Sequence, residues 1–166
     1  MPERKTIERA RKDKREGKSP TTQAGEFVRE EIHHVREGKH GARSTKQAIA
    51  IGLSKARRSG VKLPPPKKGT ASARTRRQAS RDVAKGRSGT KRRPSRSRSR
   101  AVRQALKHEG RSAASHRALA KQAHSSARRR PASQRSAAAR KAARTKGARV
   151  RVAAARKAAR TRARNR

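Results

Sequence analysis

Residues 24–60 read AGEFVREEIHHVREGKHGARSTKQAIAIGLSKARRSG, and this stretch carries the clearest folding signal in the chain. Its small and apolar residues recur every three or four positions, which is the spacing of one face of an α-helix. Two such stripes are present, one before the run GKHGARS and one after it. The pattern predicts two amphipathic helices, and their stripes consist of Ala24, Phe27, Val28, Ile32 and Val35, then Ala48, Ile49, Gly52, Leu53 and Ala56.

Local signals mark where these two helices begin and end. Gly38 follows the first stripe and Gly60 follows the second, and glycine commonly closes helices at such positions. Ser44 precedes Gln47 by three residues, which is the spacing of a capping box. Gly52 lies inside the second helix, where it costs about 1 kcal/mol relative to alanine. We expect that glycine to permit close approach of the first helix.

Four segments follow from composition. Residues 19–63 are predicted to form a helical hairpin. Because so small a unit buries little surface, a homodimer formed through the hairpin is a further possibility. Residues 1–18 mix charges around few apolar side chains, so we expect a frayed, solvated helix. Residues 64–69 contain three prolines and are predicted to be a stiff spacer. Residues 70–166 are a low-complexity tail of Ala, Arg, Ser and Lys with 33 Lys or Arg against two acids.

The tail is predicted to be disordered. Only 29% of the whole chain is apolar and much of that is alanine, which buries little surface to offset the entropy of ordering. A nine-residue repeat occupies residues 137–145 and 153–161, and its like charges, such as Arg140 and Arg144, oppose a helix at i,i+4. We therefore expect coil in free solution and helix on DNA. The fold class is mostly α plus disorder, a small helical hairpin followed by a long, conditionally helical basic tail.

The charge of the chain identifies the class of partner. Its formal net charge is +42, and duplex DNA supplies the opposite charge at about one per 1.7 Å of axis. An amphipathic membrane helix would need Trp, Phe or Leu on its apolar face, and the chain has one Phe and no Trp. We expect DNA as the partner, with RNA as the alternative, and no membrane.

Clusters of Arg and Lys in the tail are the predicted nucleic-acid-binding residues. Both side chains pair with phosphates and release condensed counterions, and Arg adds planar, bidentate geometry. The predicted site comprises Lys91, Arg92, Arg93, Arg96, Arg98, Arg100, Arg128, Arg129, Arg130, Arg140, Lys141, Arg144, Arg156, Lys157, Arg160, Arg162, Arg164 and Arg166. Within the hairpin, further phosphate contacts are open to Arg43, Lys46, Lys55, Arg57 and Arg58.

Other motifs are interpreted as structural. The spacing of Glu30 to His33 and of Glu31 to His34 occurs in di-iron bundles, but those need the motif on two helices, so a solvated polar face is expected. The Ser-Arg run at residues 95–100 is attributed to composition. A helix-turn-helix over 24–60 is disfavoured, because its loop is longer than the usual three or four residues. We expect no enzyme activity, no metal and no cofactor.

Residues 19–66 resemble a family of short bacterial domains of unknown function. The stretches that carry the resemblance are AGEFVREEI at 24–32, GKHGARS at 38–44 and KQAIAIGLSKARR at 46–58. The resemblance implies a bacterial origin and a small helical module, and it assigns no activity. The tail is similar in composition to bacterial histone-like proteins of the linker-histone type and, in its Arg bias, to protamines.

Together these observations predict a histone-like, nucleoid-associated protein of the bacterial cytoplasm that binds DNA without sequence preference and neutralises or compacts it. The first alternative is a basic RNA-binding or ribosome-associated protein. The second is a protein-interaction module whose tail only localises it.

Overall fold

The computed structural model describes residues 2–89 and 95–164, and all regular structure in these two ranges is helical. The chain divides into two compact units, Met1–Gln122 and Ala123–Arg166. The elements are α1 (Arg4–Arg15), α2 (Pro20–Arg36), α3 (Thr45–Arg58), α4 (Ala73–Ser88), α5 (Arg96–Lys107), a 3-10 turn (Ser112–Ala114), α6 (His116–Arg128) and α7 (Ala132–Arg164).

The predicted fold class is wrong beyond the first 63 residues. Where the sequence predicted a disordered tail, residues 73–88, 96–107 and 112–164 are largely helical, so neither disorder nor an isolated hairpin describes the chain. The physical reason is helix propensity. Each like-charge pair at i,i+4 opposes a helix by about 0.2–0.5 kcal/mol, but the tail is built mainly from Ala, Arg and Lys, which rank among the best helix formers.

The two helices predicted around the quoted stretch are confirmed. Ser44 caps α3 by accepting a hydrogen bond from the backbone N–H of Gln47 at 3.2 Å, and the Gln47 side chain accepts one from the Arg43 N–H at 2.8 Å. Gly38 and Gly60 follow α2 and α3 with φ of 76° and 88°, the left-handed conformation that glycine adopts at little cost. Both predicted helix ends are therefore observed.

Gly52 brings α2 and α3 together, as expected. A Cβ added to Gly52 would lie 2.7 Å from the Val28 Cα and 3.0 Å from the Phe27 carbonyl oxygen. Phe27 is 1% exposed and packs with Ala10, Ala24, Ala56 and Leu63 in one of two buried apolar clusters. The close backbone contact compensates for the scarcity of large apolar side chains.

Helix α1 packs on α2 rather than lying free in solvent. Thr6 and Ala10 are buried, and Ile7 packs against the same cluster as Phe27. Across the interface, Arg9 Nε lies 2.7 Å from Glu26 Oε2. The segment has only two apolar residues at this interface, Ile7 and Ala10. The buried Thr6 adds to their contact with α2, and the three side chains together anchor α1.

The predicted proline spacer, residues 64–69, is held to the core at its first residue. Leu63 is 7% exposed within the cluster around Phe27. Arg57 holds the segment in place by donating hydrogen bonds to the carbonyl oxygens of Leu63 and Pro64, both at 3.3 Å. The chain then enters α4, which packs on α3.

A later part of the predicted tail returns to the loop between α2 and α3. Ala113 and Ala114 are buried with Ile32 and Val35 in the second apolar cluster. Backbone hydrogen bonds join the Gly41 N–H to the Leu106 carbonyl and the Ala42 N–H to the Gly110 carbonyl, at 2.8 and 3.0 Å. Side chains complete the junction, because Arg36 donates to the Ala114 carbonyl and Thr45 to the Ala113 carbonyl.

Candidate functional site

Helix α7 is exposed and densely positively charged. Its 33 residues include twelve Lys or Arg and no acid. Among its described side chains only Ala143 is half-buried, and the rest are exposed. The alanines between the cations keep the helix thin and the charged heads accessible, so a phosphate backbone could approach closely.

The helical register aligns several of these cations. Arg149, Arg156 and Arg160 are spaced by seven and four residues, which places them on one side of a helix. They line a shallow open groove together with Val152 and Lys157. Successive cations at i,i+4 stand about 6 Å apart along the axis.

Glycine divides α7 into two segments. Gly147 has φ 64° and ψ 166°, a conformation that is essentially restricted to glycine. The two copies of the nine-residue repeat, 137–145 and 153–161, consequently lie on different segments. Each segment carries its own pair of arginines at i,i+4.

The predicted binding residues are distributed over several elements. Arg96, Arg98 and Arg100 are exposed in the first turns of α5, and Arg128 ends α6. Lys91, Arg92, Arg93 and Arg166 lie outside the described residues. The other exposed members are Arg129 and Arg130 between α6 and α7 and, on α7 itself, Arg140, Lys141, Arg144, Arg156, Lys157, Arg160, Arg162 and Arg164.

Two cations of the α2–α3 pair have structural roles instead of facing solvent. Arg57 is 7% exposed, and burial lowers the pKa of its guanidinium, although Asp82 acts in the opposite direction. Lys55 is 17% exposed, with its Nζ 2.6 Å from Glu31 Oε2 and 3.5 Å from Glu30 Oε1. Neither side chain is free to contact a phosphate as the sequence had suggested. Arg43, Lys46 and Arg58 remain exposed.

A second polar arrangement, here called the polar cluster, was missed by sequence reasoning. Its carboxylates are not a solvated face, because the Glu30 and Glu31 side chains are 2% and 1% exposed. His33, by contrast, is exposed. The six members of the polar cluster are Glu3, Glu30, Glu31, His34, His40 and Lys55.

Several elements contribute to the polar cluster. From the loop after α2, His40 places its Nε2 3.2 Å from Glu31 Oε1. From the start of α1, Glu3 Oε1 lies 2.9 Å from His34 Nε2. The hydrogen bond from His34, followed by that from Lys39, lowers the pKa of the Glu3 carboxyl. The signal available in the sequence was the Glu31 to His34 spacing, but nothing local showed that His40 would join it.

Comparisons with known proteins bear on the first part of the chain. No curated protein and no solved structure matches it. In the described residues, no helix is long and apolar enough to cross a membrane. Residues 5–68, which run from α1 past the prolines, match a family of unknown function, DUF6496. The prediction of a short domain of unknown function is confirmed, and the match extends it over α1.

Proposed function

We propose that this protein binds nucleic acid, and duplex DNA in particular, through phosphate contacts from its exposed basic helices. The observation that carries the proposal is α7, in which twelve of the 33 residues are Lys or Arg and none is acidic, and whose described side chains are exposed apart from the half-buried Ala143. Each cation that pairs with a phosphate releases counterions, and this entropy drives binding without reading the base sequence. The proposed role is that of a histone-like protein of the bacterial nucleoid, which neutralises DNA and promotes its compaction.

A preformed helix is suited to this role. Ordering a disordered tail on DNA would cost conformational entropy at the moment of binding. In α7 the backbone is already helical on both sides of Gly147, so side-chain order is the main order to be added. The alanines carry no long side chain that would hold the helix away from the phosphates.

Salt dependence is the first test. If about ten cations contact phosphates, log K falls with log salt with a slope near −9. Competition binding of the full chain to a duplex, measured from low to high salt, gives this slope. A binding constant that does not change with salt would contradict the electrostatic mechanism.

Charge removal locates the interface. In the first variant, Arg140, Arg144, Arg156 and Arg160 are replaced by Ala, which preserves helix propensity. If all four contact phosphates, the slope weakens by about 3 to 4. The matched control replaces four exposed cations of α1 and has the same net charge, its substitutions being Arg4, Lys5, Arg11 and Lys14 to Ala.

The control should leave the slope nearly unchanged. Equal losses in the two variants would show that net charge alone matters and that α7 is not the interface.

Single-stranded RNA is the informative competitor, because the only aromatic residue, Phe27, is buried and no stacking platform supports preference for unpaired bases. RNA binding stronger than duplex binding at equal salt would favour the RNA-binding alternative.

A further inference from the structure

The polar cluster contains more buried negative charge than its fixed cation can balance. Glu30 and Glu31 share the single ammonium of Lys55. Glu30 also accepts a hydrogen bond from the Glu3 backbone N–H at 3.3 Å, but among the described residues no second ammonium or guanidinium lies within 4 Å of either carboxylate. Because buried charge that is only partly balanced is costly, a further cation would stabilise this cluster. That cation is either a proton on a histidine or a metal ion.

The orientation of His40 places this cation beside Glu31 and is suited to a metal ligand. Its Nδ1 lies 3.0 Å from the Gly41 carbonyl oxygen, and since a carbonyl can only accept, Nδ1 carries the proton. In the neutral ring the Nε2 lone pair then faces the carboxylate of Glu31, 3.2 Å away. A cation between the two acceptors resolves that conflict. Metal-binding histidines commonly donate their other nitrogen to a backbone carbonyl in this way.

We propose that Glu31, His34 and His40 supply three ligands to a divalent transition metal of the zinc type. The ligand atoms of these three residues lie within 4.8 Å of one another. Ligands bound to zinc at about 2.0–2.1 Å in a tetrahedron stand about 3.3–3.5 Å apart. The Glu31–His40 pair, at 3.2 Å, is already near that spacing.

The chemistry of these residues matches zinc. Imidazole nitrogens and carboxylate oxygens are common zinc ligands, and the chain contains no cysteine. Lys55 supports the site from outside by holding the second oxygen of Glu31 at 2.6 Å. A bound metal would join the C-terminal half of α2 to the loop that carries His40. It would therefore stabilise the first unit.

Metal titration of the full chain tests the site. After chelator treatment and dialysis, Zn²⁺ should bind with one tight equivalent per chain by calorimetry and should raise the Tm by several degrees, because a ligand that binds only the folded state stabilises it. His34→Gln and His40→Gln should each weaken this binding at least about tenfold. The matched control is His33→Gln, since His33 is exposed on the same helix and its loss should change the affinity less than twofold.

A gain-of-signal variant keeps the test decisive if a glutamine variant folds poorly. His40→Cys introduces the only thiol in the chain, so a Co²⁺–thiolate charge-transfer band can arise only from this position. The proposal requires that band at one equivalent of Co²⁺. It is overturned if the parent chain binds no stoichiometric Zn²⁺, if the two glutamine variants bind as well as the parent, or if Co²⁺ bound to the cysteine variant shows no such band.

Discussion

At the residue scale, glycines allow a chain with few large apolar residues to pack. Gly52 meets the Val28 backbone, Gly41 meets the Glu109 carbonyl, and Gly86 on α4 meets the Arg57 carbonyl. At each of these positions a Cβ would collide with backbone, which cannot move aside as a flexible side chain can. The segments are thus held by backbone-to-backbone contact, which depends on the absence of a Cβ atom at each of these three glycines.

Gly52→Ala should destabilise the first unit even though alanine is the better helix former. The added Cβ would force α2 and α3 apart, and overpacking of this kind typically costs about 1–3 kcal/mol. Chemical denaturation of the full chain measures the loss.

Gly25→Ala is the matched control on α2. No atom lies within 4 Å of its added Cβ, so the gain in helix propensity should stabilise the protein by about 0.5–1 kcal/mol. If both variants shift stability in the same direction, packing at Gly52 is not the governing term.

At the element scale, an acid fixes α4 to α3. Asp82 is 2% exposed, and it accepts hydrogen bonds from the Ser54 hydroxyl at 2.7 Å and from the Gln78 amide at 3.2 Å. Arg58 approaches the same carboxylate at 3.7 Å. In residues 70–166, where acids are rare, one of the two acids marks a place where the chain folds back.

Asp82→Ala should loosen α4 on α3, because the half-buried Ser54 hydroxyl loses its acceptor across the interface, while the Gln78 amide is exposed and can turn to water. An unsatisfied buried polar group costs about 1–3 kcal/mol, so we expect a loss near the low end of that range, about 1 kcal/mol, which still exceeds the helix propensity that alanine adds. Glu109→Ala removes the same charge from a half-buried side chain and should change stability by less than about 0.5 kcal/mol. Thermal unfolding of both variants checks the difference, and an equal loss would mean that charge alone, and not the hydrogen bonds, matters at Asp82.

Sequence patterns predicted the elements whose information is local. Gly38, Ser44 and Gly60 predicted the ends of α2 and α3, because the residues that cap a helix lie within a few positions of its end. The return of the chain near Ala113 could not be predicted in this way. Its contacts are made by backbone carbonyls and by alanines, which leave no stripe of large apolar residues in the sequence.

The two candidate sites also differ in how far local sequence predicts them. The basic character of α7 is a matter of composition, so its cations could be identified from sequence, while their helical arrangement was missed by giving like-charge repulsion too much weight. The polar cluster depends on His40 meeting Glu31 from a different segment. Such a meeting is set by tertiary structure, and spacing along the chain does not contain it.

At the scale of the whole molecule, charge and core are segregated. Eight of the ten acids fall in residues 1–37, and seven of them pair with basic side chains of the first three helices and the loops between them, while α7 has no acid. If binding rests on phosphates, unrelated duplexes of equal length should bind within about tenfold of one another. Competition among duplexes of differing sequence measures this. A strong preference for one of them would mean that side chains read base edges.

The break at Gly147 divides the proposed interface into two helical segments, each of which can bind DNA on its own. The two segments, each about 22–25 Å long by helical rise, carry equivalent copies of one repeat and are joined by a single permissive residue. When one segment is bound, the other is held at high effective concentration near the same duplex, so avidity slows escape. Free DNA could nevertheless capture a momentarily released segment, and the dissociation rate should then rise with competitor concentration. Gly147→Ala, which favours one continuous rod, should remove that dependence.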